Sequence, residues 1–179
     1  MKEVFLMHNE FEKWLTDFSK ERLPLWNEFP DFDLYMDQLV NLGNRYLENL
    51  IDTKITASMI NSYVKKGLME RPSKKKYTTT NVAELVVISL LKSIFPLETI
   101  RSGIKQSIKD VSVTDSYDYF ANLFNHALSR VSLTNSPQVN SLPLNENMIQ
   151  LTEQFAVHAV IYKMIGEKLV NLQRISKNK

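Results

Sequence analysis

Residues 54–80, KITASMINSYVKKGLMERPSKKKYTTT, decide the expected fold of this chain. A helical pattern that starts at Thr56 stops at Gly67, a basic stretch with one proline follows, and a new apolar run begins at Val82. The order is therefore helix, tight turn, short basic wing and helix. A winged helix-turn-helix uses this order to present one helix to a DNA groove and a basic loop to the flanking phosphates.

The helix predicted over 57–66 has two faces. Ile60 and Tyr63 are expected to point inward, Thr56 to cap the start, and Gly67 to take the left-handed position beyond the end. The outward side chains are small, polar or cationic and can reach base edges or phosphates. The candidate DNA-binding residues are Ser58, Asn61, Ser62, Lys65 and Lys66 on the helix, and Arg71, Lys74, Lys75, Lys76 and Tyr77 on the wing at 71–77.

Charge is unevenly distributed along the chain although the net charge is only +2. Residues 1–52 hold 5 Lys or Arg against 11 Asp or Glu, a net −6, and residues 53–76 hold 7 against one, a net +6. Residues 77–179 hold 10 against 8, a net +2. A dense local positive patch favours a polyanion as partner, whereas a solvated lysine-rich turn is the structural alternative.

Several classes of function are disfavoured by what the sequence lacks. There is no cysteine, and the four glycines are too few for a nucleotide-binding α/β fold. The three histidines are isolated, and no phosphate-binding or nucleophile motif occurs. We therefore expect no enzyme activity, no metal and no cofactor. Without a secretory signal or a membrane span, the expected location is the cytoplasm, with no membrane partner.

The segments around the basic wing favour an all-α fold. Residues 24–33 read as an ordered, packed loop, and a helix is expected over 34–51, where Gly43 lets another helix approach closely. The run 82–94 is apolar almost all round, as in a central core helix, and Asn81 with Glu84 resembles the cap at its start. The Ser-, Asn- and Pro-rich residues 132–145 indicate a loop.

The last predicted helix, 146–174, has an apolar seam in which steps of three and four residues alternate, the heptad spacing of a coiled coil. The helix is expected either to form a homodimer or to lie at the centre of a bundle, with His158 inside. The seam residues are Leu151, Phe155, His158, Tyr162, Ile165, Leu169 and Leu172.

From Ile55 to Ile100 the chain resembles a MerR-type winged helix. The resemblance is carried, in order, by Tyr63, Gly67, Leu68, Pro72, Tyr77, Leu85, Ile88, Leu91, Leu97, Glu98 and Ile100. It implies a regulator that binds duplex DNA. Asn61 stands where that family has arginine, and Val64 where it usually has glutamate.

The string PDFDLYMDQ at 30–38, followed by MINSYVKKGL and KKKYTTTNVAEL, is similar to an uncharacterised bacterial family. That family is known as a domain of unknown function with a predicted MerR-like helix-turn-helix. The similarity covers roughly residues 8–130 and implies a regulator-like fold.

The expected fold is therefore all-α, with a MerR-like winged helix-turn-helix and a small wing. We expect an N-terminal helix and packed loop at 1–32, the winged core at 33–110, and a C-terminal helical region at 111–179. The expected function is DNA binding by a dimeric transcriptional regulator whose effector is unknown. The alternative is a protein-interaction adaptor that keeps the winged shape without reading bases. Asn61 and Val64 favour the adaptor, and the lysine wing favours DNA.

Overall fold

The computed structural model describes residues 2–132 and 147–176, with side chains from residue 7 to 174 of those ranges. These residues contain seven α-helices and one short 3-10 helix, with no extended strand among them. The helices are α1 Lys2–Phe18, α2 Met36–Tyr46, α3 Ala57–Lys65, α4 Thr79–Leu91, α5 Leu97–Ser107, α6 Val113–Ser129 and α7 Met148–Ser176, and the 3-10 helix is Trp26–Glu28. The all-α expectation is confirmed. Residues 133–145 of the predicted loop lie outside the described residues.

Helix α4 is the centre of the structure. Nine of its 13 residues are buried, on every side of the helix, and α2, α5, α6 and α7 all pack against it. The predicted central helix is thus confirmed, but it begins at Thr79 rather than at 82. Asn81 is not its N-cap, because Thr78 holds that position and Asn81 lies inside the first turn. One hydrophobic cluster runs from Phe18 to Ile161 through all three predicted segments, and the division between those segments stays a prediction.

Gly43 lets α2 approach α4 closely, as its place in the sequence predicted. A Cβ atom built on Gly43 would lie 2.8 Å from Leu85 Cδ2 and 3.0 Å from Ile55 Cδ1. Leu85 is fully buried, so its side chain has little space into which it could move. The glycine is therefore a packing requirement despite its low helix propensity.

The loop at 23–29 is fastened to α6 by polar contacts. Asn125 accepts a hydrogen bond from Leu23 N at 2.7 Å and donates one to Leu23 O at 2.9 Å, while Asp118 accepts from Trp26 N at 2.7 Å. Tyr117 donates its buried hydroxyl to Pro24 O at 2.8 Å. The packed-loop prediction is confirmed for this segment, which carries the chain from α1 to α2.

Within the described ranges, no helix is both long enough and apolar enough to cross a membrane.

We predict that Gly43→Val lowers the free energy of unfolding by about 1–3 kcal/mol, because it overpacks the contact of α2 with Leu85. Gly103→Val on α5 is the matched control, since a Cβ there meets nothing within 4 Å and valine is a better helix former than glycine. Urea unfolding of both variants measures the difference. Equal stability of the two variants would contradict the close approach.

Candidate nucleic-acid interface

Helix α3 is held at both ends by local hydrogen bonds. Thr56 Oγ1 accepts from Met59 N at 3.3 Å, which confirms the predicted cap. Gly67 has a φ of +67°, Gly67 N donates to Val64 O at 3.1 Å, and Leu68 N donates to Tyr63 O at 2.9 Å. This is a Schellman ending, which satisfies the last carbonyls of the helix. The helix therefore stops where the sequence predicted, with Lys66 as its C-cap.

Asn44 on α2 fixes the entry to α3. Its Nδ2 donates to Ile55 O at 3.0 Å, and its Oδ1 accepts from Ile55 N at 2.8 Å. Both backbone groups of the residue next to the Thr56 cap are thereby satisfied by one amide. Helices α2 and α3 are held together at this point.

The two predicted faces of α3 are confirmed by burial. Ile60 and Tyr63 are buried in the main cluster, and Val64 is half-buried. The predicted contact residues on this helix are all at least partly accessible: Ser58, Asn61, Lys65 and Lys66 are exposed and Ser62 is half-buried. The solvent face of α3 thus carries two cations at its C-terminal end and small polar groups along the rest.

The wing ends in a two-residue hairpin turn made of lysines. Ser73 and Lys76 exchange backbone hydrogen bonds of 3.1 and 2.9 Å, and the two residues between them, Lys74 and Lys75, have positive φ values of 50° and 66°. Positive φ at both central positions is the pattern of a type I′ turn, which strongly prefers Asn-Gly. Lysine in the left-handed region costs about 1–2 kcal/mol per residue. Lys74 and Lys75 are exposed at the tip.

The base of the wing is tied to α4 by two polar side chains. Glu84 accepts from Glu70 N at 3.0 and 3.2 Å and from Asn81 Nδ2 at 3.1 Å. Asn81 Nδ2 also donates to Glu70 O at 3.1 Å, and Asn81 Oδ1 accepts from Thr78 N at 3.0 Å. One amide therefore holds the residues on both sides of the wing.

Tyr77 belongs to the core rather than to the basic surface. Its side chain is 4% exposed, and its backbone pairs with Leu34 through two hydrogen bonds of 2.8 Å. The Tyr77 ring packs in the main hydrophobic cluster and therefore does not face solvent with the lysines. Arg71 is exposed and Lys76 is half-buried, so the basic residues remain accessible.

Three accessible side chains, on the loop before α2 and beside the end of α3, were not among the predicted contact residues. Phe32 is 61% exposed and Tyr35 is 53% exposed, and Lys76 Nζ lies 5.6 Å from the Tyr35 ring centroid. The Arg101 guanidinium lies 3.6 Å from the position of a Cβ on Gly67. Phe32 was expected to pack with its loop, and no local pattern distinguishes it from the packed Phe29. The pairing of Leu34 with Tyr77 brings this loop to the wing, and that contact is nonlocal.

The predicted seam of α7 is divided between two environments. Phe155, His158, Tyr162 and Leu169 are exposed, Leu151 and Ile165 are half-buried, and Leu172 is buried against Phe11 and Leu15 of α1. The face that packs into the molecule instead carries Ala156, Val157, Val160 and Ile161. The expectation that His158 lies in the centre of a bundle is therefore wrong within this chain. Its ring is solvent-accessible, and Nδ1 lies 2.7 Å from Gln154 O.

No group of three or more His, Cys, Asp or Glu residues in the described ranges could hold a metal ion.

Burial raises the pKa of Glu84 to about 7, although the hydrogen bonds from Glu70 N and Asn81 favour the charged form. The carboxylate lies at the junction of wing and core, so its protonation changes the contacts that hold the wing.

A family model described as a domain of unknown function (DUF1836) matches residues 24–126. The match lies within the range 8–130 over which similarity to an uncharacterised family was expected. No curated protein and no solved structure matches the chain.

We predict that Glu84 makes stability fall between pH 4.5 and about 7, because the folded pKa of this acid lies above its ordinary value of 4.5. The folded state then binds the proton more tightly than the unfolded state. The stabilisation that results is complete below the unfolded pKa and is lost as the pH rises through the folded pKa. Urea unfolding across this range should show the stability of the wild type relative to Glu84→Gln falling by about 3 kcal/mol. A difference that does not vary with pH would contradict the prediction.

Proposed function

This chain belongs to the DUF1836 family, and from the geometry of α3 and its wing we propose that it is a transcriptional regulator that binds duplex DNA. In this proposal the fold is a MerR-like winged helix-turn-helix with α3 in the major groove. Asn61 and Ser58 contact base edges, since an Asn side chain can pair bidentately with adenine. Lys65 and Lys66 at the end of the helix contact phosphates.

The lysine tip of the wing is the observation that carries the proposal. A type I′ turn with Lys at both positive-φ positions is less stable than the same turn with Asn-Gly. Strain of this kind persists where the surrounding structure holds it, and it concentrates at functional sites. Here the Asn81–Glu84 contacts hold the base, and the tip presents two adjacent cations to solvent. Two cations at a protruding tip suit the phosphate backbone beside a groove.

Residues outside the predicted set extend the proposed interface. Arg101 adds a cation beside the end of α3. Tyr35, next to Lys76, offers a hydroxyl and an aromatic ring at the root of the wing. Tyr77 is left out of the interface because its ring is buried. The proposed phosphate contacts are therefore Lys65, Lys66, Arg71, Lys74, Lys75, Lys76 and Arg101.

The exposed side of α7 supports the homodimer that such a regulator would form. Met148, Phe155, Tyr162 and Leu169 recur every seventh residue and are 74, 51, 48 and 37% exposed. The 21 steps between the first and the last span about 32 Å of helix. An apolar stripe with this repeat is typical of helices that pair side by side, and a two-fold dimer would match a palindromic site.

The alternative function, a protein-interaction adaptor, is favoured by a separate observation. Phe32 and Tyr35 are both more than half exposed, and aromatic side chains are enriched in protein interfaces. Asn61 and Val64, in place of the arginine and glutamate typical of MerR proteins, also favour it. The two functions differ in their dependence on the lysine tip. DNA binding requires the two lysines, whereas a protein contact through the aromatic side chains does not.

We predict that the double substitution Lys74→Asn with Lys75→Gly stabilises the protein by about 1–2 kcal/mol and weakens DNA binding. The salt dependence of binding should fall by about 2 in the log–log slope, because two phosphate contacts are lost. Fluorescence anisotropy with a random-sequence duplex at several salt concentrations measures the slope, and urea unfolding measures the stability.

The control for this experiment is Lys13→Ala with Lys20→Ala, which removes the same charge from the exposed side of α1 and its end. Its slope should equal that of the wild type. If the wild type does not bind DNA, the proposal of a DNA-binding regulator is overturned and the adaptor function is favoured. Equal slopes in the tip variant and the wild type would show that the two lysines of the wing do not contact phosphates.

We predict that the wild type sediments as a dimer at tens of micromolar and that Tyr162→Glu sediments as a folded monomer. A charge at the centre of the contact would be buried without a partner, which costs several kcal/mol, whereas in the monomer this position is exposed. Analytical ultracentrifugation and circular dichroism test both parts. Gln150→Glu, on an exposed position off the stripe, should remain a dimer. A monomeric wild type would rule out the α7 dimer.

A further inference from the structure

A cavity of about 480 Å³ lies between α4, α5, α6 and the start of α7. Its walls are mainly apolar, with Val87 and Leu91 on α4, Ile104 on α5, Phe120 on α6 and Ile149 on α7. This volume is within the range of small-molecule sites, which are typically apolar clefts with a few polar groups that orient the ligand. The cavity is partly open to solvent, so a small molecule could enter it without unfolding the core.

The charged groups that line the cavity are all of one sign. Glu84 and Glu153 are carboxylates, and the lining residues that the structure describes include no Lys, Arg or His. Burial raises the pKa of Glu84 to about 7 and raises the pKa of Glu153, because burial disfavours the charged form of a carboxyl group. A cation in the cavity would compensate the charge of these carboxylates, and an anion would add to the repulsion.

The two carboxylates differ in their hydrogen-bond partners. Glu84 already accepts hydrogen bonds from Glu70 N and Asn81 Nδ2 at the base of the wing. Glu153 Oε1 accepts from Ser107 Oγ at 2.6 Å, a contact that links α7 to α5 and orients the carboxylate. Glu153 Oε2 is therefore the atom that we assign to a ligand donor.

We propose that this cavity binds a small apolar molecule that carries a protonated amine, with the apolar part among the α4, α5 and α6 side chains and the ammonium on Glu153. The apolar walls bind the hydrocarbon without distinguishing head groups. Glu153 supplies the preference for a cation, and Ser107 holds the carboxylate in position for it. The cavity lining includes none of the proposed DNA-contact residues, so either proposal can hold without the other.

The test uses three eight-carbon compounds that differ only at one end: octylamine, 1-octanol and octanoate. Isothermal titration of the full-length protein near neutral pH should give the tightest binding for octylamine, weaker binding for octanol and the weakest for octanoate. The first and the last should differ by at least about tenfold. Equal affinity for octylamine and octanoate, or no binding of octylamine, would overturn the proposal.

Two variants separate the contributions of the carboxylate and the walls. Glu153→Gln should weaken octylamine about tenfold and leave octanol unchanged, while Glu167→Gln, an exposed residue of the same helix, should bind both as the wild type does. Gly103→Leu places a side chain into the open space of the cavity wall and should abolish binding of both. If octylamine binds Gly103→Leu as tightly as the wild type, the amine binds elsewhere and the assignment is overturned. Unchanged octylamine binding to Glu153→Gln would overturn it as well. Thermal melting confirms that each variant is folded.

Discussion

The structure depends on the burial of α4 on every side. A helix that is apolar all round cannot have a solvent face, so other elements must cover it in all directions. Here α2, α5, α6 and α7 do so, and each packs mainly through one apolar face. The close approach of α2 at Gly43 follows from the same requirement, because a side chain there would hold the two helices apart.

The polar groups of α4 connect this core to the surface. Asn81 and Glu84 stand in its first turns, where they hold the backbone at both sides of the wing. The base of the wing is thus held by side chains of the central helix, while the tip carries two lysines in an unfavourable backbone conformation. In the proposed DNA interface, this anchored base would hold the strained, charged tip in place for a phosphate contact.

Helix α7 has two faces with different roles. One face, with Val157, Val160 and Ile161, completes the cover of α4 and packs on α6, and the end of the helix packs on α1 through Leu172. The other face exposes large apolar side chains at every seventh position. At its start, Glu153 closes one side of the apolar cavity. The proposed dimer, the proposed ligand site and the core therefore use different sides of the same helix.

The features that depend on neighbouring residues were predictable before the fold was known. Thr56 as a cap, Gly67 as a left-handed ending and the buried Ile60 and Tyr63 follow from local hydrogen bonding and helical spacing, and all were predicted. The all-round apolar character of 82–94 also predicted the central place of this helix, which the structure ends at Leu91. The packing of distant segments decided that Tyr77 is buried, that Tyr35 lies beside Lys76 of the wing, and that the inner face of α7 differs from its heptad seam. These depend on which distant segment covers a side chain, as with Leu34 and Tyr77. An apolar residue has the same local pattern whether its partner is its own core, a second subunit or solvent, so only the packed chain distinguishes them.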